Sequence, residues 1–77
     1  MQKHKVEIVT MDDVHKFVDI ASKIVPPVKI TNEDMSYIGN AKSILGIMAS
    51  LEWGNLYIVS DSDETDLYMK FKDFIVD

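Results

Sequence analysis

Two adjacent prolines, Pro26 and Pro27, interrupt this 77-residue chain after its first third. A proline lacks a backbone N–H and its ring clashes with the preceding turn, so an α-helix cannot continue through the pair. The apolar residues before the pair recur at intervals of three and four, which is the helical period. They are Met11, Val14, Phe17, Val18, Ala21 and Ile24. The sequence therefore predicts an amphipathic helix that ends at Val25.

The start of this helix has a signal of its own. Thr10 is followed three residues later by Asp13, an arrangement similar to a capping box in which aspartate replaces the usual glutamate or glutamine. Acidic residues in the first turn and Lys23 in the last turn also suit the helix dipole. These features predict that the helix begins directly after Thr10.

Four short stretches have the composition of strands. They are Lys3–Val9, Val28–Thr31, Met35–Ile38 and Leu56–Val59. The turn-forming residues Asn32, Glu33 and Asp34 lie between the second and third, which predicts an antiparallel hairpin.

Two further helices complete the pattern. The stretch "NAKSILGIM", Asn40 to Met48, predicts a short helix that begins at a serine. The acidic segment Ser60–Asp66 is typical of a helix N-terminus, which explains its carboxylates better than a calcium loop does. A last helical stripe follows through to the C-terminus: Leu67, Phe71, Phe74 and Ile75.

The resulting order is βαββαβα. It predicts a single α/β (α+β) domain over residues 1–77, an open-faced sandwich in which a four-stranded antiparallel sheet carries three helices on one face.

Composition excludes several classes of function. The chain has no cysteine and only two histidines, so neither a thiolate site nor a histidine-rich metal site is expected, and we expect no cofactor. Its eight cations are all lysines against 13 acidic residues, a net charge of −5, which argues against nucleic acid as a partner. Without a membrane-spanning run or a signal-peptide core, we expect a cytoplasmic protein with no membrane insertion.

The short helix carries a family resemblance. "NAKSILGIM" is similar to N-x-K-S-I-M-G-x-M, the regulatory-site motif of the HPr phosphocarrier family of the bacterial sugar phosphotransferase system, with Leu45 in place of the central methionine. The matching residues are Asn40, Lys42, Ser43, Ile44, Gly46 and Met48. The element order extends the resemblance over essentially the whole chain and implies an HPr-like fold.

The resemblance implies two roles for this helix. In the family the motif serine is phosphorylated by an ATP-dependent kinase, and the apolar helix residues dock partner proteins. These roles would fall here on Ser43 and on Ile44, Leu45, Ile47 and Met48. A helix of about two turns cannot bury all its sides, so part of this set should be exposed, whereas Ile47 should face the sheet. The alternative is that Ser43 is only an N-cap and the apolar residues are core.

The phosphocarrier motif itself has diverged. In the family, the histidine of G-I-H-A-R-P accepts a phosphoryl group from enzyme I and passes it to sugar-specific transporter components. An ungapped register places His15 at that position, with Asp13, Phe17 and Val18 at the glycine, arginine and proline positions. A phosphoryl acceptor at His15 would therefore lack arginine support and would have carboxylates beside it.

Two placements of the first helix compete. In one, His15 lies at the helix N-terminus. In the other, the helix begins after Thr10, His15 lies more than a turn inside on the polar side, and Thr10 and Asp12 occupy the histidine and arginine positions. The second accounts for the cap and for the apolar stripe.

Three functions follow as hypotheses. The leading one is a divergent HPr-family module that acts in regulation or binding through Ser43 and the Ile44–Met48 surface. The second is a working phosphocarrier that uses His15, and the third is a small interaction domain that retains only the scaffold. The first two imply protein partners from the phosphotransferase system: enzyme I, transporter components, the serine kinase or their regulators. Each describes a carrier or regulator more readily than a turnover enzyme.

Overall fold

Strands and helices alternate along the chain in the predicted order, and the computed structural model describes all 77 residues. The elements are β1 (Gln2–Val6), α1 (Met11–Ser22), β2 (Lys29–Thr31), β3 (Ile38–Asn40), α2 (Ile44–Ser50), β4 (Leu56–Ser60) and α3 (Leu67–Lys70).

The sheet is antiparallel throughout and has the order β1-β4-β2-β3. The last strand, β4, is inserted between β1 and β2, so that Ile58 lies opposite His4 on one side and Ile30 on the other. The helices cover one face of this sheet and leave the other open. The predicted fold class, a four-stranded antiparallel sheet with three helices in βαββαβα order, is confirmed.

One continuous apolar core lies between the helices and the sheet, and it contains 15 buried residues. Phe17 of α1 forms its centre, with its ring 4.6 Å from that of Phe71 and 5.3 Å from that of Phe74. Ile30 and Ile58 contribute the sheet side of the same core and are fully buried. A chain of this length buries only about 60 % of the surface that its unfolded form exposes. It therefore has few apolar residues to spare outside this single core.

The capping box at the start of α1 is present as predicted. The Thr10 Oγ1 accepts a hydrogen bond from the Asp13 N–H at 3.1 Å, and the Asp13 carboxylate accepts one from the Thr10 N–H at 3.2 Å. The helix ends at Ser22, earlier than the predicted Val25. The N–H groups of Lys23 and Ile24 bond to carbonyls three residues back, so the last turn tightens before the prolines are reached.

The third strand lies later in the chain than predicted, at Ile38–Asn40 instead of Met35–Ile38. Met35 has φ +61°, a left-handed conformation that no strand accepts. The Asn32 side chain holds the longer turn closed, because its Oδ1 accepts a hydrogen bond from the Tyr37 N–H at 3.0 Å.

The C-terminus also differs from the prediction, because α3 ends at Lys70 and the chain then leaves the helix. Residues 74–76 run along the outer edge of β1: Phe74 O accepts from the Glu7 N–H at 2.9 Å, and the Val76 N–H donates to Lys5 O at 3.0 Å. Ile75 forms a bridge with Val6. The predicted stripe residues Phe71 and Phe74 are buried without a continuous helix. The first strand itself is Gln2–Val6, shorter than the predicted Lys3–Val9.

Candidate regulatory and docking site

Ser43 is the N-cap of α2, as the sequence predicts. Its Oγ accepts a hydrogen bond from the Gly46 N–H at 3.1 Å. A tight turn precedes it, in which the Asn40 Oδ1 accepts from the Lys42 N–H at 2.9 Å and the Asn40 carbonyl accepts from the Ser43 N–H at 3.1 Å. The turn and the cap together fix the direction in which α2 leaves the sheet.

Beside Ser43 lies an exposed apolar surface, which we call the Leu45 patch. Its members are Ile44 (40 % exposed), Leu45 (78 %), Met48 (41 %) and Leu51 (39 %). The first three were predicted from the sequence. Leu51 was not, because it follows the last residue of the motif and its position depends on where α2 ends.

Ile47 belongs to the core and not to the patch. It is fully buried, so its inclusion among the partner-binding residues is wrong and the expectation that it faces the sheet is confirmed. In α2, Ile44 and Leu45 therefore lie on the outer side while Ile47 packs beneath them. The dense apolar run has two purposes: one side completes the core and the other is free to make contacts.

Lys42, although part of the matching motif, is engaged elsewhere. Its Nζ donates a hydrogen bond to the Val25 carbonyl at 3.1 Å. This contact ties the turn before α2 to the segment that follows α1. Lys42 therefore has a positioning role in the fold.

The start of α1 determines where His15 lies in the helix. Since α1 begins at Met11, its first turn contains Asp12 and Asp13, and His15 lies beyond that turn on the exposed side. Thr10 occupies the helix start and is held by its capping bonds. The predicted start of α1 directly after Thr10, with His15 inside the helix on its exposed side, is confirmed.

The surroundings of His15 contain few groups that could hold a phosphoryl group. The nearest lysine along the helix, Lys16, pairs with Asp12 at 3.0 Å, which raises the pKa of Lys16. The backbone N–H groups of Val9 and Thr10 hydrogen-bond the Asp13 carboxylate and lower its pKa, so this acid is ionised near neutral pH. The His15 side chain takes part in no hydrogen bond or ion pair within the chain.

The acidic segment before α3 has capping contacts. Asp66 is the N-cap of α3, and its Oδ1 accepts from the Met69 N–H at 3.3 Å. Gln2 anchors the segment by donating to the carbonyls of Ser62 and Thr65 at 2.8 and 2.6 Å. No group of three or more histidine, cysteine or acidic side chains in the chain lies close enough to bind a metal ion.

The loop after α2 carries Trp53, which makes a packing contact at the edge of the sheet. The Trp53 ring stacks on Tyr37 with centroids 5.5 Å apart. A side-chain atom built on Gly39 would lie 3.3 Å from the same indole, so the glycine allows Trp53 to close over β3. Trp53 therefore covers this edge of the sheet.

Comparison of the chain with protein-family models, curated proteins and solved structures finds no match. Likewise, no helix is both long enough and apolar enough to cross a membrane. Functional inference for this chain therefore depends on its own residues and their geometry.

Proposed function

We propose that this protein is a divergent member of the HPr family that acts in the cytoplasm as a regulatory or binding module of the sugar phosphotransferase system. The observation that carries the proposal is the position of Ser43 directly before the Leu45 patch. A modifiable hydroxyl and a docking surface thus adjoin each other at the start of one short helix. The partners we propose are enzyme I, sugar-specific transporter components and the serine kinase, or proteins that regulate them.

The Ser43 side chain is chemically suited to modification. It is partly exposed, and its hydroxyl accepts a hydrogen bond from the chain but donates none to it. Ser50, in the same helix, offers a useful contrast. It is buried and its hydroxyl donates to the Ile47 carbonyl at 2.6 Å, so it is withheld from an enzyme.

Phosphorylation would change the Leu45 patch through charge. A phosphoserine carries about −1.5 to −2 charges at neutral pH, and this charge would lie one residue from Ile44. The chain already has a net charge of −5 and contains no arginine. The modified patch would therefore bind an acidic partner less well, because the added charge repels it and is costly to desolvate.

A second candidate is an interaction domain that keeps the motif for its scaffold alone. Asn40, Ser43 and Gly46 each have a structural role in the turn and cap that position α2. A motif held by such packing would persist even if no kinase acted on Ser43. In that case the Leu45 patch would still bind a partner, without regulation by phosphate.

The decisive experiment is incubation with the family's serine kinase and ATP, followed by mass spectrometry of the intact chain and its peptides. We expect one phosphoryl group on Ser43. Ser43→Ala should remain unlabelled, and so should Ser43→Asn, which retains an N-cap residue and therefore the helix start. Ser36→Ala is the matched control and should be labelled as the native chain is. Labelling that persists in both Ser43 variants would contradict the regulatory proposal.

A second incubation tests the phosphocarrier alternative, which also remains a hypothesis. Enzyme I and phosphoenolpyruvate should leave the chain unlabelled under the regulatory proposal. An acid-labile adduct that disappears in His15→Ala would instead establish carrier chemistry. Absence of labelling in both incubations would leave the scaffold alternative.

A further inference from the structure

Lys42 and Ser43 are neighbours in the turn that leads into α2, and the backbone of both residues is fixed. The Asn40 side chain and carbonyl accept hydrogen bonds from the Lys42 and Ser43 N–H groups at 2.9 and 3.1 Å. Both side chains are partly exposed. The Lys42 side chain can change its partner without moving the turn, because it is a flexible stem that ends in an ammonium group.

In the unmodified chain the Lys42 ammonium group has a neutral partner. Its Nζ donates to the Val25 carbonyl at 3.1 Å, and it takes part in none of the ion pairs of the protein. Val25 is 90 % exposed, so water can hydrogen-bond its carbonyl when the lysine leaves. Exchanging this contact for another therefore costs little free energy.

One other lysine lies near the same turn. A hollow of about 500 Å³ has Lys29 and Lys42 as the two charged residues in its lining. Lys29 extends from β2, across the strand pair from Asn40, whereas Lys42 directly precedes Ser43 in the chain. Lys42 is therefore the cation that a phosphate on Ser43 would meet first.

We propose that Lys42 is the positioning residue for a phosphate on Ser43, with which it pairs after its ammonium group leaves the Val25 carbonyl. This inference rests on the proposed function, because it concerns the modified state of Ser43. A carbonyl oxygen offers the ammonium group only a partial charge. A phosphoserine offers about −1.5 to −2 charges and three acceptor oxygens, so Coulomb attraction favours the phosphate.

The exchange has two consequences for the modified chain. The phosphate is held at the turn, beside the start of the Leu45 patch, instead of moving freely in solvent. At the same time the Val25 carbonyl loses its donor, so the contact between the turn and the segment after α1 is broken. Modification of Ser43 thus changes the chain at Val25 as well as at the patch.

The test uses the full chain with phosphoserine incorporated at position 43 during its synthesis, so that no kinase is required. Titration followed by phosphorus NMR measures the pH at which the phosphate gains its second negative charge. In the Lys42→Met chain this midpoint should lie about 0.2–0.7 of a pH unit higher, which is the size expected for an exposed ion pair. Lys42→Arg retains a cation and should keep the lower midpoint.

A second measurement follows the Val25 carbonyl by carbon NMR. On phosphorylation its signal should move to the position that it has in the unmodified Lys42→Met chain, because the carbonyl lacks the lysine donor in both. Lys29→Met is the matched control, since it removes the other lysine of the hollow, and it should leave both measurements unchanged. Thermal unfolding should verify that all variants remain folded.

Three results would overturn the inference: an unchanged titration in Lys42→Met, an equal effect of Lys29→Met, or a Val25 signal that does not move on phosphorylation. Each is distinct from a failure of the proposed function, which the kinase incubation decides. Absence of labelling by the kinase would refute the regulatory proposal and would leave the phosphoserine titration unaffected.

Discussion

A methyl group built on Gly46 would lie 2.8 Å from the carbonyl oxygen of Asn40. That separation is shorter than ordinary van der Waals contact, so α2 can pack this close to the end of β3 only with glycine at position 46. The Gly46 N–H also donates to the Ser43 Oγ. The close approach and the cap thus depend on the same residue.

Gly46→Ala should therefore destabilise the protein, although alanine favours a helix by about 1 kcal/mol over glycine. The added Cβ must displace backbone, not a flexible side chain, and such overpacking costs about 1–3 kcal/mol. Urea unfolding followed by circular dichroism would measure the change. Ala49→Gly, at an exposed position of the same helix, reports the propensity effect alone and should cost about 1 kcal/mol. A stabilised Gly46→Ala would show that the close approach is absent.

The local signals in the sequence predicted the elements well where one residue type dictates the geometry. Thr10 with Asp13 fixed the start of α1, and Ser43 fixed the start of α2. The same signals failed for β3, because Met35 adopts a left-handed conformation and a methionine in the sequence does not indicate one. They also failed at the C-terminus, where residues 74–76 pair with β1, a contact that spans almost the whole chain.

The candidate site was predicted in part, because Ser43 signals the start of α2. The exposure of Leu45 and the burial of Ile47 follow from helical geometry once Ser43 is the N-cap. The approach of Lys3 to Lys29 on one face of the sheet could not be recognised in advance, since they are distant in sequence and meet only through the strand order β1-β4-β2.

The loss of folding stability at acidic pH should depend in part on Asp13. Hydrogen bonds from the Val9 and Thr10 N–H groups lower the pKa of its carboxyl in the folded state. A carboxyl with a lowered folded pKa contributes stability above its unfolded pKa, near 3.9, and this contribution is lost as pH falls through the folded pKa. Asp13→Asn should therefore be less stable at neutral pH and should lose less stability on acidification.

Urea unfolding at neutral and acidic pH would measure this difference. Asp13→Glu is the matched variant, because it retains a carboxylate at the position where capping boxes usually have one. It should keep the acid-dependent loss. An unchanged acid profile in Asp13→Asn would exclude the capping carboxylate as a source of the pH dependence.

The turn before β3 offers a gain in stability. Met35 has φ +61°, which costs a non-glycine residue about 1 kcal/mol or more. Met35→Gly should relieve this strain and stabilise the protein by about 0.5–1 kcal/mol, as seen in a higher urea midpoint. Ser36→Gly, next to it in the same turn but with an ordinary negative φ, should destabilise by a similar amount. Equal losses of stability in both variants would contradict backbone strain at Met35.

Leu45 and Ile47, two residues apart in α2, should respond to truncation in opposite ways. Ile47 is fully buried, so Ile47→Ala should cost about 2–5 kcal/mol through lost burial and the cavity it leaves. Leu45 is 78 % exposed, and Leu45→Ala should change stability by no more than about 0.5 kcal/mol. Chemical denaturation of both variants measures the two changes in the free energy of unfolding. Comparable losses would mean that Leu45 is part of the core, and a buried Leu45 could not serve as the centre of a docking surface. A stable Leu45→Ala that binds enzyme I or the serine kinase more weakly would instead assign its exposed side chain to partner recognition.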